Sequence, residues 1–230
     1  MKVAFSTLGC RVNQYESEAM AEKFIREGYE VVDFSEIADV YVINTCTVTN
    51  MGDKKSRQII SKARRLNSNA IIAVVGCYSQ MAPKEVSEIE GVDVVLGTRN
   101  KGDVVYYVNK ARDEQKVQVH VEGVLKNKKF EDLNIEEYQD KTRAFLKIQD
   151  GCNRFCTYCA IPYARGSVCS KEPRKVIDEV KKLASHGFKE VILSGIHTAS
   201  YGLDLDGNIT LIDLIEDIEK IHGIERVRIG

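Results

Sequence analysis

The chain has 230 residues, a formal net charge of −1, 43% hydrophobic residues and 29% charged residues. Such proportions describe a soluble globular protein of one or two domains, with enough chain to bury a core. They exclude a membrane-spanning class, because no apolar run reaches the length of a span, and the near-zero charge gives nucleic-acid binding no bulk electrostatic support. The N-terminus, Met1-Lys2-Val3-Ala4-Phe5, reads as a short strand and not as a signal peptide. A cytoplasmic location is therefore expected. The seven cysteines are expected to stay reduced, serving metal or catalysis rather than disulfides.

Residues 1–112 alternate strand and helix. Val3-Ala4-Phe5 opens a strand ending near Leu8-Gly9-Cys10. A helix is expected over residues 14–27. Asn13 and Glu16 stand at capping-box spacing, Met20, Phe24 and Ile25 form its apolar face, and Gly28 stops it. Residues 29–34 and 40–43 read as strands, the second running into Asn44-Thr45-Cys46. Residues 53–66 read as a helix with Ile59, Ile60 and Ala63 inward and a basic outer face. The apolar run at residues 70–75 has the pattern of a strand buried on both faces of a parallel sheet, and it ends in Gly76-Cys77. A helix near Pro83, a strand at 92–96 and a helix at 103–111 complete the pattern. The expected fold is α/β, beginning with a doubly wound parallel-sheet domain.

Cys10, Cys46 and Cys77 each fall just past the C-terminal end of an apolar strand. In open α/β sheets, ligands bind in the crevice outside those ends. Three thiols far apart in sequence can therefore meet there and hold an iron–sulfur cluster with one iron left open. Each alone could be a buried structural cysteine. A catalytic thiol would need a base, and no His lies near these loops in sequence.

Residues 113–141 read as a linker with room for one strand at 117–121. Its cluster Lys126-Asn127-Lys128-Lys129 is a solvated charge run or a local RNA contact. From residue 142 the pattern is β-α-β-α-β: strands at 143–149, 190–193 and 226–229, and helices at 172–186, capped by Ser170 and stopped by Gly187, and 211–221. This is the first part of a (β/α) barrel. An open three-stranded piece leaves an edge, so the 230 residues are expected to be part of a longer protein.

The strand-like run Ala144-Phe145-Leu146-Lys147-Ile148 leads into Cys152, Cys156 and Cys159. Thiolates are soft ligands for iron–sulfur clusters, zinc or copper. Three cysteines hold three irons of a [4Fe–4S] cluster and leave the fourth open to a small molecule. A zinc knuckle would want a fourth ligand, and only Cys169 is near. The C-x3-C-x2-C segment, with Tyr158 before its last cysteine, resembles the radical S-adenosylmethionine enzymes.

Both triads together resemble the methylthiotransferases within that group. The matching pieces are Thr7-Leu8-Gly9-Cys10-Arg11-Val12-Asn13, Asn44-Thr45-Cys46-Thr47-Val48-Thr49, Val75-Gly76-Cys77-Tyr78-Ser79-Gln80, Gln149-Asp150-Gly151 running into the Cys152 loop, and Arg165-Gly166. The resemblance spans the whole chain. It implies two [4Fe–4S] clusters, one on Cys152, Cys156 and Cys159 that binds S-adenosylmethionine, the other on Cys10, Cys46 and Cys77 that carries sulfur. It implies cofactor contacts at Tyr158 and Gly195, a tRNA substrate and an electron-donor protein. Gly195-Ile196-His197-Thr198-Ala199-Ser200-Tyr201-Gly202 resembles the branch acting on threonylcarbamoyladenosine at position 37 of tRNA. The branches acting on isopentenyl-adenosine or on a ribosomal-protein aspartate usually read differently there. His197 could also be a plain hydrogen-bonding loop residue. In two places the chain departs from the family. Cys169 stands before Ser170 where a basic residue is common, and the rest of the barrel and a small C-terminal RNA-binding domain are missing. In another class altogether, a non-enzymatic iron–sulfur electron carrier would need eight cysteines for two fully ligated clusters.

Overall fold

The computed structural model describes residues 1–47, 50–125, 129–133, 135 and 143–230, with residues 50 and 51 described by backbone alone. Val48 and Thr49 of the second cysteine motif and Lys126, Asn127 and Lys128 of the basic run lie outside these residues.

The first half is a six-stranded parallel sheet. Its strands are β1 (Lys2–Thr7), β2 (Glu30–Val32), β3 (Val40–Thr45), β4 (Ile71–Gly76), β5 (Val94–Leu96) and β6 (Gln118–His120), in the order β2-β1-β3-β4-β5-β6. Side chains alternate across a strand, so β3 sends Val40 and Val42 to one face and Tyr41 and Ile43 to the other. Helices α1 (Arg11–Arg26) and α5 (Val104–Glu114) cover the first face, and α2 (Asn50–Leu66), α3 (Cys77–Met81) and α4 (Pro83–Ser87) accompany the second. Both faces are buried, as the continuous apolar runs require. Fully burying a side chain such as Phe24 or Ile60 contributes about 1.5–3 kcal/mol. The strand expected inside the linker is β6, the edge strand of this sheet, so the sheet continues past residue 112.

The second half has a parallel sheet ordered β11-β10-β7, from β7 (Arg143–Lys147), β10 (Glu190–Ser194) and β11 (Arg226–Ile229). Helices α7 (Pro173–Ser185) and α8 (Leu211–Glu219) pack on it through Val176, Val180, Leu183, Leu214 and Ile218. Between β7 and α7 lie the antiparallel pair β8 (Gln149–Asp150) and β9 (Cys169–Ser170) and the short helix α6 (Ile161–Arg165).

The helix starts differ from expectation in two places. Helix α1 begins at Arg11 with Cys10 as its N-cap residue and no side-chain cap, so Asn13 and Glu16 are not a capping box. Both are buried inside the helix's first turns and are used elsewhere, while Ile25 is turned to solvent. Ser170 does not cap α7, whose N-cap residue is Glu172. Its backbone N–H and its hydroxyl instead donate to the two carboxylate oxygens of Asp204, at 2.9 and 2.6 Å. The capping box that does form is on α8, between Thr210 and Asp213.

Candidate functional site

Strands β1, β3 and β4 are neighbours in register, Thr7 opposite Asn44 and Thr45 opposite Gly76. Their C-terminal ends therefore open side by side. Cys10, Cys46 and Cys77 follow those ends and line one cavity of about 320 Å³. Cys10 is exposed, Cys46 half-buried and Cys77 buried, and all three are free thiols. Gly9 has φ of +102°, and a Cβ there would come within 2.8 Å of Cys46 Cβ, so a glycine lets the two loops touch. Asn13 clamps them: its Nδ2 donates to Leu8 O at 2.7 Å and to Thr45 O at 2.9 Å. Asn44 returns a bond from its own Nδ2 to Asn13 O at 2.8 Å. Burial pushes the Cys77 thiol up, and the positive charges of Arg165 and Lys101 pull against that rise.

The far wall of this cavity comes from the second half, with Ile161, Arg165, Ser194, Gly195, Ile196 and Gly230. Gly195 sits just past β10, where a Cβ would meet Gln149 Oε1 at 2.9 Å. Gln149 Oε1 also accepts from the backbone N–H of His197 at 2.8 Å. His197 Nδ1 lies 2.5 Å from Ser200 Oγ, so this histidine is engaged within its own loop. A larger hollow of about 780 Å³ lies between α7 and α8, but it holds none of the cysteines.

The loop of Cys152, Cys156 and Cys159 is separate from that cavity. Cys152 N–H donates to Gly166 O at 3.0 Å, Cys159 N–H to Cys156 O at 2.9 Å, and Asn153 Oδ1 accepts from Val168 N–H at 3.0 Å. Phe155 has φ of +46°, which turns the chain between the first two cysteines. Cys156 is exposed, Cys152 and Cys159 partly so, and Tyr158 stands 92% exposed. Among the described residues, no three His, Cys, Asp or Glu side chains converge at the spacing of a single metal ion.

What sequence reasoning missed is a buried charge cluster between the halves. Glu16, Arg99 and Lys101 come from the first half, Lys147, Asp150 and Arg165 from the second. Lys147 Nζ lies 2.7 Å from Glu16 Oε1 and 2.7 Å from Asp150 Oδ2. Arg165 Nη1 lies 2.9 Å from Glu16 Oε1 and 3.1 Å from Asp150 Oδ2. Lys101 also pairs with Glu16. Burial would raise the Glu16 carboxyl, but Arg165, Lys101 and Lys147 outweigh it and hold it well below the usual range. Asp150 is likewise held far down by Arg165, Lys147 and Arg99 against its burial. Arg99 donates from Nη1 to Cys169 Sγ at 2.7 Å and from Nη2 to Arg165 O at 2.6 Å. Cys169, the departure from the family pattern, is thus a buried acceptor at the junction of the halves. One signal was present: Lys147 interrupts an apolar strand, and a buried lysine requires an anion.

Two family models match the chain. One, described as "Uncharacterized protein family UPF0004", covers residues 2–97, and the other, "Radical SAM superfamily", covers residues 146–230. Over 229 residues the chain is 46% identical to the threonylcarbamoyladenosine tRNA methylthiotransferase MtaB of Bacillus subtilis, covering 99% of this chain and 51% of that protein. It is 45% identical over 230 residues to the MtaB of Aquifex aeolicus, covering 100% of this chain and 56% of that protein. The chain is thus similar over nearly its whole length to members of the methylthiotransferase family of radical S-adenosylmethionine proteins. A family member of another branch, the tRNA-2-methylthio-N(6)-dimethylallyladenosine synthase of Clostridium botulinum, is 37% identical over 232 residues, covering 96% of this chain and 50% of that protein. The chain spans about half the length of the curated relatives it matches. Among solved structures, the radical S-adenosylmethionine methyltransferase TsrM from Kitasatospora setae, with cobalamin and a [4Fe-4S] cluster bound, superposes with a TM-score of 0.57 at 16% identity. That match covers 85% of this chain and 49% of that one, and it shows a shared fold.

The donor set fits the iron–sulfur group that this family implies. Each triad is made of free thiols, the ligand type that such clusters select. In a cluster each thiolate binds its own iron, so convergence on a single ion is not needed. The close approach of Gly9 to Cys46 brings two of the three strand-end loops together around one cavity.

Proposed function

We propose that this chain is part of an enzyme that adds a methylthio group to carbon 2 of N6-threonylcarbamoyladenosine at position 37 of tRNA. The observation that carries the reading is the shared cavity, where Cys10, Cys46 and Cys77 face Ser194 and Gly195 at the strand end of the radical half. Sulfur donor and radical chemistry have to meet at one substrate carbon, and this cavity lies where the halves meet. The choice of branch rests on the names of the relatives at 46% and 45% identity, against 37% for the dimethylallyladenosine branch.

In this proposal Cys152, Cys156 and Cys159 hold one [4Fe–4S] cluster and Cys10, Cys46 and Cys77 a second. When bound, the clusters and S-adenosylmethionine supply the radical that activates an adenine C–H bond and the sulfur and methyl group to be transferred. The residues of this chain bind and position. Gly195, whose lack of a Cβ lets the Gln149 side chain pack against it, would present its backbone to the amino end of the cofactor. Tyr158, which is exposed, is free to pack against its adenine. Exposed Cys10 sits on the solvent side of its triad, and buried Cys77 keeps the opposite side dry. An electron-donor protein would approach the exposed Cys156 loop, and the setting would be cytoplasmic. Among the described residues, no helix is long and apolar enough to cross a membrane.

The test uses the full-length protein, reconstituted anaerobically and given methyl-labelled S-adenosylmethionine. Label in the position-37 nucleoside of tRNA carrying threonylcarbamoyladenosine supports the reading. Label only in isopentenyl-adenosine tRNA, or in a ribosomal protein, moves the protein to another branch. Label in no macromolecule favours the electron carrier, although seven cysteines fall short of the eight such a carrier needs.

A further inference from the structure

Two residues that line the cavity of Cys10, Cys46 and Cys77 each carry a buried polar atom with no hydrogen-bond partner among the described residues: Arg165 Nε and Ser194 Oγ. Arg165 is 0% and Ser194 2% exposed. Buried polar groups are nearly always paired, so two orphans on one cavity wall require an explanation. For Arg165 the rest of the guanidinium is committed. Nη1 donates to Glu16 Oε1 at 2.9 Å and to Asp150 Oδ2 at 3.1 Å, and Nη2 to Glu16 Oε2 at 3.2 Å and to Asn13 Oδ1. The fork is thereby fixed with its Nε–H unspent. Ser194 is the last residue of β10, pinned by its register opposite Lys147, and its hydroxyl can rotate to donate. Both groups belong to the radical half, while the three thiols belong to the other.

We infer that Arg165 Nε and Ser194 Oγ are the hydrogen-bond donors that the radical half presents to the anionic, sulfur-bearing group held by Cys10, Cys46 and Cys77. The inference rests on the reading of those cysteines as cluster ligands. A cluster on three thiolates is electron-rich, and hydrogen bonds to its sulfurs set its reduction potential. Donors stabilise the more negative, reduced form, so these two raise the potential. They also couple the site to its partner domain, because the cluster is fully hydrogen-bonded only when the halves are docked. Arg165 follows the Cys152 loop directly, through α6. It is a positioning residue shared by the two cysteine sites.

The test is made in the full-length protein with Cys152, Cys156 and Cys159 replaced by alanine, so that iron loads on the other triad alone. Arginine is labelled with ¹⁵N and the reduced cluster examined by pulsed electron paramagnetic resonance, beside a redox titration. A weak ¹⁵N coupling is expected, and it disappears in Arg165→Lys. Ser194→Ala and Arg165→Lys each shift the midpoint potential to more negative values. Both lose iron to a chelator about tenfold more readily or worse, the usual cost of removing a group that orients a ligand shell. Should Arg165→Lys fail to fold, the labelled parent and Ser194→Ala decide. Unchanged potentials with no arginine coupling overturn the inference and leave the cluster reading standing. A shift in one variant alone overturns the two-donor arrangement. No iron on the parent triad overturns the inference together with the reading it rests on.

Discussion

Cys152, Cys156 and Cys159 come from one loop, while Cys10, Cys46 and Cys77 come from three strand ends brought together by the order β1-β3-β4. The first set is open to solvent at Cys156. The second lines a cavity closed on one side by the other half of the chain. The loop builds its site from local hydrogen bonds such as Cys152 N–H to Gly166 O. The strand-end site depends on long-range packing and on the Asn13 clamp. A site of the first kind suits a group that must exchange a small cofactor with solvent. One of the second kind suits a group that must be kept in place.

The sharpest way to break this comparison is to remove one thiol from each site. Cys156→Ala is expected to abolish cleavage of S-adenosylmethionine, read as loss of 5′-deoxyadenosine. Cys46→Ala is expected to spare cleavage and stop sulfur transfer to tRNA. Equal loss of cleavage in both variants would end the proposed division of labour.

The loop was legible in the sequence because its three thiols are spaced within it. The strand-end site was legible only through topology: apolar runs predicted parallel strands, and each cysteine fell just beyond one. The charge cluster was not legible. Its members are scattered from Glu16 to Arg165, and Glu16 had a satisfactory local explanation as half of a capping box. A buried ion there outweighs local capping, because Arg165, Lys147, Lys101 and Arg99 converge on Glu16 and Asp150. Ser170 was misread for the same reason. Asp204, far along the chain, offers it two acceptors that the start of α7 does not.

Next in size is the junction that holds the strand-end site against the radical half. Glu16→Ala leaves Lys101, Lys147 and Arg165 short of an anion in a buried place. It should cost about 3–5 kcal/mol in denaturant unfolding, as breaking buried ion pairs does. Arg57→Ala, which removes an exposed pair with Glu85, should leave the unfolding midpoint unchanged. Similar losses for the two would mean that the junction carries no special load.

A smaller effect is expected at Gly9. Gly9→Ala forces a side chain into a left-handed backbone and against Cys46, at a cost of about 1–3 kcal/mol, with weaker iron retention on that triad alone. Gly28→Ala has a similar φ of +80° but nothing within 4 Å, so it should lose stability without touching iron. Matching iron loss in both variants would contradict the role given to the close approach.

The smallest effect is in the pH dependence. Burial raises the Glu131 carboxyl from 4.5 to about 7, against Lys147. A proton bound in the folded state and not in the unfolded state stabilises the fold below the unfolded value. That stability is lost as pH rises from about 4.5 through about 7. Glu16 and Asp150 act in the opposite sense: their lowered values stabilise the fold above the usual carboxylate range and withdraw that support as pH falls through it. Glu131→Gln should flatten the slope of unfolding free energy across the first window and leave the acid limb alone. An unchanged slope in that window would remove Glu131 from the account.

If the two triads are separate cluster sites, each loads iron without the other. Iron is counted per chain in the full-length protein after anaerobic reconstitution, in the parent and in variants with either triad replaced by alanine. About eight irons are expected in the parent and about four in each variant, as two four-iron clusters require. One zinc per chain, or a parent count that either substitution reduces to nothing, would contradict two separate sites.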